Sequence, residues 1–314
     1  MEKALRTSQT RRIRSSRGDR VSMGIIVVLL ILFVIVELYP LVYVVSASLS
    51  DPQAVGTGEM ILWPVRTTLD GYKYILSYSV IWTGYANTLL YTVAGTLLNL
   101  AVTLPAAYAL SRRDFCDKGL FMTIFMFTMY FGGGTIPTYL NIYQLGLLNN
   151  RWVLIVNGAV SVYNLIVART FFSSTIPWEL HEAARIDGSS DLRTFFQIVL
   201  PLSSPIIVVL ALYYGVGHWN EYFSAMMYMA KARAAWPLQL FLREILIKGQ
   251  FAADAIKNAS DLTPEQILEM TKQAETANLI KYCVIIVATV PMMVIYPWLQ
   301  KFFAKGVMIG SVKG

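Results

Sequence analysis

The chain has 314 residues, 56% hydrophobic and only 14% charged, with a formal charge of +7 and a positive mean hydropathy. A soluble domain carries roughly a quarter charged residues. Here several runs approach the ~20 apolar residues that cross a bilayer, which excludes an ordinary soluble enzyme and points to an all-α polytopic membrane protein. The charge is not a nucleic-acid footprint. Its densest run, Lys3 to Arg20, adjoins an apolar span, where basic residues set orientation.

In chain order, residues 1–22 read as a basic cytoplasmic tail, 23–305 as a six-helix transmembrane domain, and 306–314 as a short cytoplasmic tail. Span one, Met23 to about Val45, is longer than the roughly 7–15-residue core of a signal peptide and is read as retained. An external loop rich in turn residues follows at 49–84. Span two covers about Tyr85 to Leu110, and the basic turn after it (Arg112, Arg113, Lys118) fits the inside. Span three, about Leu120 to Tyr143, is interrupted by Gly132, Gly133, Gly134 and Pro137. Such a break is tolerated where backbone is buried in protein or lines a water-filled cavity. Span four runs from about Trp152 to Phe172, with Arg151 and Arg169 at its ends. Span five runs from about Pro205 to Met227, followed by a second external loop at 228–277. Inside that loop Thr263, Pro264 and Glu265 read as a helix start. Span six, Leu279 to about Phe303, returns the chain inside, so both termini are cytoplasmic. On this topology Cys116 and Cys283 lie a membrane thickness apart and form no disulfide.

The polar stretch 175–201 joins spans four and five. Thr175 and Pro177 start a short helix, Glu179 sits in its first turn and Gly188 stops it. Leu180, Ala183, Ala184 and Asp187 recur at helical spacing, and the adjacent alanines allow close approach of another surface. Ser190 and Asp191 open a second helix carrying Leu192, Phe195, Phe196 and Val199 on one stripe. On periodicity alone this is equally an amphipathic connector, with Glu182 paired to Arg185 three residues on.

A second cluster, Gly215 to Tyr222, is the most polar segment inside any span. Trp219, Asn220, Glu221 and Tyr222 are candidates for a substrate pathway, since ionisable groups in membranes usually face cavities. The competing reading is an interfacial aromatic belt. Tyr139 and Asn164, with Tyr130, Tyr143 and Asn157, are weaker candidates.

The sequence holds no GxxxxGK[ST] phosphate loop, HExxH or GxSxG. Its two histidines, His181 and His218, fall on opposite faces of this topology. The chain is therefore read as no enzyme on its own, with any energy supplied by a partner.

Glu182-Ala183-Ala184, three residues, Gly188, nine residues, Ile198, one residue and Leu200-Pro201 together resemble the EAA loop of permease subunits from ATP-binding-cassette (ABC) importers. The segments YPLVYVVSASLSDP, GYANTLLYTVAGT, GGGTIPTYL and PLQLFLREIL, and the terminal VKG, are similar to the carbohydrate-uptake branch that handles oligosaccharides or polysaccharide fragments. The resemblance implies an ABC importer permease fold in which Glu182, Ala183, Ala184, Arg185, Asp187 and Gly188 belong to coupling helices docked on an ATPase. It further implies a heterodimer with a second homologous permease, two ATPase subunits that bind ATP and Mg, and an extracytoplasmic solute-binding protein that delivers the oligosaccharide. The chain itself is expected to hold no cofactor, and no nucleic acid is expected. The alternatives are a secondary transporter or channel driven by an ion gradient, a membrane scaffold, and an ABC permease for a non-sugar solute.

Overall fold

A computed structural model describes residues 16–258 and 263–310, and every regular element among them is helical. The backbone divides into two units, residues 1–68 and 69–314. The first holds α1 (Arg17–Ser48) and α2 (Pro52–Gly56). Residues 17–22, expected in the basic tail, are instead the opening turns of α1. Ser16 and Asp19 close a capping box: the Asp19 N–H donates to Ser16 Oγ at 3.1 Å, and the Ser16 N–H donates to Asp19 Oδ2 at 2.8 Å. Along α1 large apolar side chains such as Ile25, Phe33 and Leu41 are exposed, as suits a helix bathed in lipid. Residues 1–15 and 311–314, where most of the expected tails fall, lie outside the described residues.

The second unit runs α3 (Asp70–Ser77), α4 (Ser79–Ser111), α5 (Lys118–Tyr130), α6 (Thr135–Gln144), α7 (Trp152–Val156), α8 (Val162–Thr175), α9 (Trp178–Ile186) and α10 (Asp191–Thr194). A π-helical turn (Phe195–Val199) follows, then α11 (Leu200–Leu202), α12 (Ser204–Asn220), α13 (Phe223–Tyr228), α14 (Leu238–Asn258) and α15 (Pro264–Gly310). The capping pair Thr263 and Gln266 starts α15, which continues through the expected span six. The stretch 228–277 thus holds α14 as well as the first turns of α15. Part of the first expected loop, 49–84, is likewise helical, in α2, α3 and the start of α4.

Helix α4 packs against α8, α12 and α14. Every fourth residue from Asn87 to Thr103 faces inward with a polar or small side chain: Asn87, Tyr91, Gly95, Asn99 and Thr103. Asn87 Nδ2 donates to the Ala234 and Trp236 carbonyls at 2.9 Å each, and the Tyr91 hydroxyl to Ala235 O at 2.7 Å. Asn99 Nδ2 donates to Gly158 O at 3.0 Å and Ala159 O at 2.8 Å. Loop backbone at membrane depth must find such partners inside the protein, and this stripe supplies them. Helix α15 shows the same logic. Pro291 lacks the N–H that would bond the carbonyl of residue 287, and the Tyr85 hydroxyl of α4 donates to that Val287 carbonyl instead.

Among the described residues, three helices are long and apolar enough to cross a bilayer: 18–48, 79–111 and 280–297. Counting the bent pairs 118–144 (112°) and 191–220 (82°) raises the number to five. Expected span four is divided: α7 ends at Val156, residues 157–161 are irregular, and only α8 resumes the helix. Expected span five ends as a helix at Asn220, and α13 restarts at Phe223.

Candidate functional site

The first candidate site is the α9–α10 corner. Helix α9 ends in a Schellman motif: the Ser189 N–H donates to Ala184 O at 2.9 Å and the Gly188 N–H to Arg185 O at 3.1 Å. Gly188 has φ +72°, the left-handed conformation that this motif requires and glycine adopts freely. Ser190 then caps α10, its Oγ accepting from the Arg193 N–H. The paired alanines do not share a face. Ala184 is buried whereas Ala183 is exposed. The expected stripe on the second helix is also split, because the π turn changes the register. Phe195 and Val199 join the core beside Tyr108 and Phe172, while Leu192 and Phe196 stay exposed with Ile186.

The inner face of this corner is held by a cluster that sequence reasoning did not assemble. Arg112, at the end of α4, donates to both oxygens of Asp114 at 2.8 and 2.5 Å. Its Nη1 donates to Asp191 Oδ1 at 2.8 Å and to the Tyr108 hydroxyl at 3.1 Å. Arg185 reaches Asp114 at 3.0 Å, so it does not pair with Glu182. The Arg112 guanidinium beside Asp114, helped by Arg185, holds that carboxyl well below the usual carboxylate range. The His181 ring lies between Tyr108 (5.7 Å, 15°) and Trp178 (5.1 Å, 19°). Burial, with Arg112 nearby, pushes the His181 imidazolium pKa down. Arg112 and Arg113 also sit over the Trp178 indole at 5.8 and 5.9 Å. With α9 clamped this way, Glu182 points outward and forms no ion pair among the described residues. Asp187 and Gly188 are exposed beside it.

The second candidate site is a cavity of ≈ 310 Å³ among α4, α7, α8 and α12. Of the residues singled out in the sequence, Glu221 and Asn164 meet here, together with Asn157 and His218. The His218 Nε2 lies 2.8 Å from Asn99 Oδ1. Because the Asn99 amide nitrogen already donates to two carbonyls, that oxygen accepts and His218 carries its proton on Nε2. Gly95 leaves the room: a Cβ there would stand 2.3 Å from Nε2 of the ring. The Tyr214 hydroxyl bonds Thr103 at 2.8 Å and accepts from the Ser161 N–H at 3.1 Å. Glu221 Oε1 accepts from the Ser224 N–H at 2.7 Å, fixing the first turn of α13.

The other pathway candidates go elsewhere, because successive residues on a helix point about 100° apart. Trp219 is buried, its Nε1 donating to Ala288 O at 3.0 Å and its ring beside Tyr85. It joins α12 to α15 and does not face the cavity. Asn220 lines an apolar groove with Met292 and Met293. Tyr222 lies under the Arg243 guanidinium at 5.3 Å. Tyr139 packs near Tyr228 and lines a further hollow with Tyr143 and Lys231. Both cysteines are free, and no group of three or more His, Cys, Asp or Glu suited to a metal occurs among the described residues.

Residues 8–309 match the family described as binding-protein-dependent transport system inner membrane component. The polygalacturonan/rhamnogalacturonan transport system permease protein YtcP of Bacillus subtilis (strain 168) is 39% identical over 287 residues, covering 91% of this chain and 96% of that one. Protein LplC of the same organism is 39% identical over 282 residues, 89% of this chain and 90% of its own length. Among solved structures, a chain of a bacterial ABC transporter involved in the import of the acidic polysaccharide alginate superposes with a TM-score of 0.79 at 33% identity. The match covers 92% of this chain and 99% of that one.

Proposed function

Since the chain belongs to the family of binding-protein-dependent transport system inner membrane components, we propose that it forms one half of the pathway for an oligosaccharide and takes its drive through α9. Membership makes it the non-catalytic membrane subunit of an ABC importer, working with an ATPase and a solute-binding protein. The finer reading is that it crosses the membrane six times with both ends in the cytoplasm and pairs with a second, homologous permease. Two ATPase subunits binding ATP and Mg sit beneath the pair. The sugar assignment follows relatives named for polygalacturonan/rhamnogalacturonan transport and alginate import.

The observation that carries the coupling role is Glu182, an exposed carboxylate on a helix held against the end of α4 by His181 on Tyr108 and Trp178 under Arg112. A free carboxylate there suits a charge-assisted hydrogen bond to a cation of the ATPase. Exposed Ile186, Leu192 and Phe196 add apolar surface around it. When nucleotide closes the ATPase pair, a clamped α9 carries the displacement into α4 rather than bending alone.

The test is co-purification of the complex carrying Glu182→Ala. Loss of the ATPase with the second permease retained is the expected result. Retention of both with undiminished ATP-driven uptake overturns the coupling role.

A further inference from the structure

We propose that the cavity among α4, α7, α8 and α12 is a subsite for an uncharged sugar ring, in which Asn164 reads hydroxyls and Glu221 turns carboxylated rings away. The inference rests on the oligosaccharide reading above and adds the chemical class that this subunit accepts.

The polar groups around the cavity divide into those already engaged and those left free. Asn99 spends its whole amide on two carbonyls and His218, and the Tyr214 hydroxyl serves Thr103 and Ser161. Asn164 differs. It is only 5% exposed, it lines the cavity, and its side-chain amide makes no hydrogen bond among the described residues, the Ser161 hydroxyl being taken by its backbone N–H. Buried polar side chains are seldom left without a partner, so an unengaged amide aimed into a cavity points to a ligand. An amide offers both donor and acceptor, which matches a sugar hydroxyl that gives one proton and takes another. Tyr213, 43% exposed on the same wall, offers a ring face for the apolar side of a pyranose. The volume of ≈ 310 Å³ is at the low end of the roughly 300–1,000 Å³ of ligand pockets. It fits a sugar ring rather than a folded chain.

The charge pattern selects among sugars. Glu221 keeps its second oxygen free beside Ser224, and no Lys or Arg lines the cavity among the described residues. A uronate entering here brings a second carboxylate beside Glu221 with no Lys or Arg to meet it, and like charges placed side by side repel. Acidic substrates therefore present their carboxylates to some other surface of the importer, and this face takes neutral rings.

The test uses the whole assembly, with its binding protein, in proteoliposomes. The probes are an α-1,4-linked galactose disaccharide and the corresponding galacturonate disaccharide, which differ only in CH₂OH against COO⁻. Glu221→Gln keeps an oxygen for the Ser224 N–H, so it preserves the turn. It is expected to raise the acidic-to-neutral uptake ratio about tenfold. The binding protein is common to both assemblies and cancels in that comparison. Asn164→Ala is expected to raise the KM for the neutral disaccharide about tenfold, with partial recovery in Asn164→Ser. An unchanged ratio in Glu221→Gln overturns the proposal, as does a wild-type KM in Asn164→Ala. If the wild-type assembly imports neither sugar, and neither stimulates its ATPase, the oligosaccharide reading itself fails and the subsite falls with it.

Discussion

Replacing Arg112 by alanine removes the centre of the clamp between α4 and α9, and the structure fixes how much each partner loses. Its side chain is 10% exposed, Asp114 33% and Asp191 70%. Breaking a fully buried pair costs about 3–5 kcal/mol, and an exposed pair contributes about 0.2–1 kcal/mol. The Arg112–Asp114 pair, bidentate and one side buried, lies between, at about 2 kcal/mol. The Arg112–Asp191 contact lies in the exposed range. Because Asp114 also holds Arg185, and Arg112 covers Trp178, the loss falls on α9. A local destabilisation of about 2 kcal/mol speeds amide exchange through opening roughly 30-fold. Hydrogen exchange of residues 178–186 in the assembled complex reads this directly, and a double-mutant cycle with Asp114→Asn and Asp191→Asn separates the partners. Arg112→Lys, which keeps charge but loses the fork, is expected to fall between wild type and alanine. The reasoning is refuted if Arg112→Ala leaves α9 exchange within threefold of wild type. It is equally refuted if the coupling to Asp191 matches that to Asp114.

Four further outcomes follow from the geometry. His181 has a depressed pKa in the folded state, so the folded chain binds fewer protons than the unfolded one. Stability at this corner is full above the ordinary histidine value of about 6.5 and declines as pH falls below it. Thermal unfolding of the complex between pH 5.5 and 8 is expected to show that decline in wild type and not in His181→Phe. Asp114, whose pKa is lowered, loses its contribution only in the carboxylate range below about pH 4. Gly188→Ala forces an L-residue into the left-handed region at a cost of about 1–2 kcal/mol, and reduced ATPase retention on co-purification checks it. Gly95→Ala drives a methyl into the His218 ring, breaking the bond to Asn99. Transport at saturating solute is expected to fall while the ATPase stays bound.

The corner at 175–201 was readable because its signals are local: a proline start, a glycine stop and a serine cap act within a few residues of themselves. The start of α15 at Pro264 was legible for the same reason. Arg112 and Asp114 were not, since they sit over 60 residues before α9 in the chain and only the fold brings them together. The inward positions of α4 did carry a signal, a polar or small residue every fourth place in an apolar helix, and it was readable as a buried seam. Trp219 and Asn220 line a different hollow from Glu221, because contiguity in sequence is not contiguity in space and α12 ends between them and Glu221. Helix α14 was missed because its mixed composition resembles a solvated loop, while its apolar face only finds Gly84 and the rest of α4 in three dimensions.

Pro291 in α15 has a consequence for assembly. Lipid tails are as apolar as leucine, so hydrophobicity alone gives two spanning helices no preferred rotation or depth. A carbonyl unsatisfied within its own helix does, because only one neighbouring hydroxyl can reach it. Val287, bonded by Tyr85, is such a mark, and the next carbonyl, Ala288, receives Trp219. Helix α15 is the last of these elements to be synthesised, so α4 and α12 are already in the bilayer when it arrives. Two adjacent carbonyls then tell it where to stop sliding and turning, an address written in backbone rather than in side chains.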